Sequence, residues 1–90
     1  MSESIVSNRA AWWIFENKVE SEYAAAITYV EDAIALQPEI PAFWDTVAQL
    51  FKVTGQRQIA IDASERALGL APEHQREEYQ GYLDAIREGK

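Results

Sequence analysis

Residues 26–39 read AITYVEDAIALQPE, and residues 60–73 read AIDASERALGLAPE. Aligned without gaps at a shift of 34 residues, the two stretches share Ala26/Ala60, Ile27/Ile61, Glu31/Glu65, Ala33/Ala67, Leu36/Leu70, Pro38/Pro72 and Glu39/Glu73, with Ile34/Leu68 a conservative pair. Self-similarity at a fixed period of this length marks a repeat architecture, in which one supersecondary unit is copied and stacked. Both stretches are rich in Ala, Leu and Glu, carry apolar residues three and four apart, and stop just before a proline. That pattern predicts a helix ended by a residue that cannot continue it.

Working outward, residues 42–54 repeat the helical signal with Trp44, Val47, Ala48, Leu50 and Phe51, then meet Gly55, a residue suited to a helix C-cap. Pro41 sits where a first-turn proline is tolerated. Residues 73–88 place Tyr79, Tyr82, Leu83 and Ile86 on one stripe of an otherwise charged helix. Upstream, residues 5–17 contain Trp12, Trp13, Ile14 and Phe15 together, so this first helix is apolar on more than one side, and a turn over 18–21 separates it from a helix starting near Glu22. The expectation is an all-α chain of five helices and no strands.

With these residues in place, the chain resembles the tetratricopeptide repeats, whose pattern runs from an aromatic through Leu and Gly/Ala to Tyr/Phe, then spaced small residues and a closing proline. In residues 41–74, Trp44, Val47, Ala48 and Phe51 match the first-helix signature, Gly55 the turn, and Ala60, Ala67 and Pro72 the second helix and its end; Ser64 departs from the usual large apolar residue. In residues 7–40 the second helix matches with Tyr23, Ala26, Val30, Ala33 and Pro38, but the first helix admits two registers. Counting back without gaps puts Trp13 and Ile14 at the two central positions, whereas a three-residue insertion in the turn puts Ala10 and Ala11 there. The resemblance implies right-handed stacking of antiparallel helical hairpins in one domain over residues 1–90: repeat one about 7–40, repeat two about 41–74, and a solvating cap about 75–88.

Proteins that resemble this family bind an extended peptide or a partner helix along a concave surface lined by the first helix of each repeat. In repeat two, that implies Asp45 and Gln49 as polar contacts and Lys52 as a rim charge. In repeat one, both registers put Trp12 and Phe15 on that side as aromatic anchors, the residue type that dominates interface energy. The members that grip a terminal carboxylate do so with a Lys and Asn pair projecting from the first helices, and the corresponding positions in repeat two hold Asp45 and Gln49, an acid where a base is needed.

Composition narrows the function class. The chain has 90 residues, no cysteine and a formal charge of −7, so its surface repels phosphate backbones and anionic lipid and no thiolate site exists. It carries no basic segment followed by an apolar run at its start, and reads as soluble and cytoplasmic. The single histidine, His74, has Glu78 four residues on, too few ligands for a metal. Glu31–Asp32 and Glu77–Glu78 are adjacent, so their side chains diverge on a helix and cannot share a proton. With no glycine-rich phosphate loop and no nucleophile–base pattern, the sequence points to no enzyme, no cofactor and no metal. It points instead to a protein or peptide partner. The alternatives are a homo-oligomerisation module, and a fragment or engineered piece of a longer array.

Overall fold

The computed structural model describes residues 3–89, so of the domain expected over 1–90, residues 1, 2 and 90 lie outside the described part. Its helices are α1 (Glu3–Glu16), α2 (Tyr23–Leu36), α3 (Pro41–Val53), α4 (Arg57–Leu70) and α5 (Arg76–Arg87). Short 3₁₀ turns at Glu20–Glu22 and Glu73–Gln75 lead into α2 and α5. The described residues contain no strand, and the fold is all-α. α1 packs along α2 and α3 along α4 as two helical hairpins; α3 also packs on α2 and α1, and α5 closes on α4.

Each boundary has a local cause. α2 stops at Leu36 with the Gln37 amide donating to the Ala33 carbonyl, and Pro38 forbids a further turn. Ile40 is extended, and Pro41 opens α3 at a position whose amide would have no helical acceptor. α3 ends in a Schellman cap: Gly55 takes the left-handed conformation at φ 82°, its amide donates to the Lys52 carbonyl at 3.2 Å, and the Gln56 amide donates to the Phe51 carbonyl at 2.8 Å.

The same cap recurs after α1 with a different residue. Lys18 sits at φ 53°, donates to the Phe15 carbonyl at 3.2 Å, and is followed by Val19 donating to the Ile14 carbonyl at 3.1 Å. Matching the two caps aligns Lys18 with Gly55 and Ala11 with Ala48, both of those alanines fully buried. The chain between α1 and α2 runs through residues 17–22, against 54–56 between α3 and α4, so the first hairpin carries a three-residue insertion. Of the two registers open in the sequence, the inserted one describes the structure. The ungapped one fails because it would bury Trp13, which faces solvent. Ala10, however, is exposed, so the inserted register buries only one of its two central alanines. α1 begins at Glu3, ahead of residue 7, where the 34-residue period puts the first repeat's start.

Burial follows the repeat at Ala26/Ala60, Val30/Ser64 and Ala33/Ala67. On α2 the buried residues are Tyr23, Ala26, Val30 and Ala33; on α4 they are Ala60, Ala63, Ser64 and Ala67. Ala48 and Ala60 share the main core with Ala11, Ile14, Ala26, Val30, Ala33, Phe43, Val47 and Leu50, and Ile86 reaches in from α5. Small side chains where helices cross let the backbones approach to native packing density. A second cluster of Ala67, Ala71 and Tyr79 lies under Leu68 and Tyr82, and Trp44 packs against both clusters. The Trp44 indole Nε1 donates to the Pro38 carbonyl at 2.8 Å, and the Arg66 guanidinium stands 5.6 Å from the ring centroid. Gly55, Pro38 and Pro72 all lie at or just beyond helix ends.

Candidate functional site

The residues that the family resemblance points to as partner contacts lie on α1 and α3. Trp12 and Phe15, one turn apart on α1, are both half-buried, with ring centroids 5.1 Å apart and planes tilted by 32°. Phe15 also packs against the main core, so Trp12 is the more available ring. On α3, Asp45, Gln49 and Lys52 lie at helical spacing on one side, all of intermediate burial.

Asp45 is electrostatically distinctive. Its carboxyl is pushed up to about 6, chiefly because burial strips water from the charged form; a hydrogen bond from the Gln49 side chain opposes this, and the negative charge of Glu78 on α5 adds to it. Its Oδ1 is sealed from solvent without a donor. On α1, Asn8 has its own Oδ1 sealed and without a donor. Counted back from the left-handed cap residues Lys18 and Gly55, Asn8 and Asp45 occupy equivalent positions in the two hairpins. Native proteins leave few buried polar atoms unpaired, and each carries a desolvation cost of about 1–3 kcal/mol. The fold bears that cost twice, at the same place.

α5 borders this face. The Tyr82 hydroxyl donates to the Glu78 carboxylate, which pushes the phenol up to about 12, and Tyr79 meets Tyr82 edge to face at 5.7 Å. Tyr79 is raised too, by burial first and then by Asp45 and Glu78. His74 is exposed on the 3₁₀ turn before α5, and among the described residues no three His, Asp or Glu side chains gather as metal ligands.

A second concavity was not legible in the sequence. It is a groove of about 610 Å³ floored by Trp44, Val47 and Phe51 of α3, walled by Ile34 of α2 and Ile59 of α4, and edged by Glu31, Asp62 and Arg66. Its residues look like ordinary core spacing in the chain. Only the separation of α2 from α4 across α3 opens them to solvent. Comparison of the chain with known protein-family models, curated proteins and solved structures finds no match.

Proposed function

We propose that this chain is a non-enzymatic interaction scaffold of the tetratricopeptide-repeat kind, which receives a peptide or partner helix from another protein across the face formed by α1 and α3. The observation that carries this reading is the half-exposed Trp12 ring on α1 together with the row of partly exposed Asp45, Gln49 and Lys52 along α3. Trp12 offers an aromatic anchor, and the partly exposed polar side chains of Asp45, Gln49 and Lys52 offer contacts to a peptide. A Lys or Arg head docked near Asp45 would favour its charged form through its positive charge, drawing that carboxyl back toward the ordinary carboxylate range. Tetratricopeptide character is supported by the 34-residue spacing, by the small buried residues at equivalent positions, and by the paired hairpins.

A second reading places the partner in the groove over Trp44, whose apolar floor suits the apolar face of an amphipathic helix and whose rim carries Arg66 as well as Glu31 and Asp62. Selection of a displayed random-peptide library on the intact chain tests both. Peptides that bind wild type but lose affinity at least tenfold for Trp12→Ala and Asp45→Leu, while keeping it for Ile59→Glu, support the α1–α3 face. The opposite pattern moves the site to the groove, and a library yielding no specific binder removes the scaffold reading.

A further inference from the structure

The two hairpins are copies, yet they bury different amounts of their first helices. Matched through the caps, Val6, Ala10 and Trp13 of α1 are the equivalents of Phe43, Val47 and Leu50 of α3. On α3 these are buried, with Phe43 and Leu50 3% and 0% exposed. On α1, Val6 is 52% and Trp13 60% exposed, and Ala10 is open as well. α1 packs on α2 as α3 packs on α4, and that shared contact buries Ala11 and Ala48 alike. What α3 has in addition is the first hairpin lying against it. The stripe buried only on α3 is therefore the surface that a neighbouring hairpin covers, and α1 displays the same surface uncovered. α2 agrees: Tyr29, 42% exposed, corresponds at the 34-residue shift to Ala63, which is buried.

We infer that this open face, centred on Val6, Ala10 and Trp13, is a self-association surface whose occupant is a second copy of the chain meeting it head to head. Two features select that occupant. The opposite end of the molecule is closed by α5, whose outer side shows Glu77, Gln80 and Asp84 to solvent, so a head-to-tail stack lacks an apolar counterpart. Along α1 the stripe runs medium, small, large; reversed against itself it sets Trp13 over Val6 and alanine over alanine, the self-complementarity that a two-fold interface requires. α1 also carries the exposed Arg9 where α3 buries Thr46, so the centre of the face is apolar with a cation at its flank. This face is separate from the one carrying Trp12 and Asp45, so either can fail alone.

Sedimentation velocity on the full chain, up to millimolar concentration, reads the outcome. Wild type is expected to reach twice the monomer mass; Val6→Glu and Trp13→Glu are expected to stay monomeric with unchanged helical circular dichroism, and Ile59→Glu, exposed in the groove, to dimerise like wild type. Because the chain has no cysteine, Ala10→Cys gives an independent readout: it is expected to oxidise rapidly to a disulfide-linked dimer, and Gln58→Cys is not. A wild type that remains monomeric throughout, glutamate variants that still dimerise, or equal crosslinking of the two cysteine variants would each overturn the inference.

Discussion

Replacing Asp45 by Asn removes a charge while keeping shape, and it makes α3 carry what α1 already has at the equivalent position, Asn8. The carboxyl moves from 3.8 to about 6 on folding, mainly because burial penalises the charged form. At about 1.4 kcal/mol per pH unit this corresponds to an upper limit of about 3 kcal/mol against the folded state at neutral pH. Partial exposure of the side chain admits solvent screening and brings the expected effect to about 1–2 kcal/mol. Since the folded pKa lies above the unfolded one, the native state holds the proton more tightly. The group's favourable contribution is complete below about pH 4 and is lost as pH rises through about 6. Asp45→Asn should therefore be more stable than wild type at about pH 7–8, by roughly 4–8 °C in melting temperature per kcal/mol, and should converge with it near pH 4. Thermal denaturation of both proteins across this range, followed by circular dichroism, measures the difference. A gap that is independent of pH, or one that widens toward acid, would refute the burial argument.

The caps and the seam supply further expectations. Lys18 holds a left-handed backbone at φ 53°, a conformation costing a non-glycine residue about 1–2 kcal/mol, so Lys18→Gly should stabilise by up to about 1 kcal/mol after glycine's greater unfolded-state entropy is counted. Gly55→Ala should lose about 1 kcal/mol through backbone strain alone, because no atom lies within 4 Å of the added methyl. Urea denaturation of both variants checks the pair, and a destabilised Lys18→Gly would contradict the shared cap. Trp44→Ala loses packing against both clusters and the 2.8 Å bond to Pro38, for about 3 kcal/mol, the low end for an aromatic truncation because the ring is half-buried. Ala60→Leu overpacks a fully buried site, for about 1–3 kcal/mol, and calorimetric melting without a shift in either variant would remove the seam from the account of stability.

Much of this molecule is written in its local sequence. The 34-residue echo between residues 26–39 and 60–73, the prolines that close both copies and the stripe on residues 73–88 specify helices and their order, because helix periodicity and proline geometry act over a few neighbouring residues. The register of α1 was not determined that way. Its run of Trp12, Trp13, Ile14 and Phe15 is apolar in every direction, so periodicity chooses no face, and the cap residue that would have marked the turn is a lysine instead of a glycine. Tertiary packing made that choice by pressing Ala11 and Ile14 into α2 and leaving Trp13 outside. It likewise decided that Asp45 loses its water, that the Asn8 Oδ1 is sealed, and that Trp44 floors a groove. Burial, desolvation and concavity are properties of surfaces brought together from distant parts of the chain, and no local pattern encodes them.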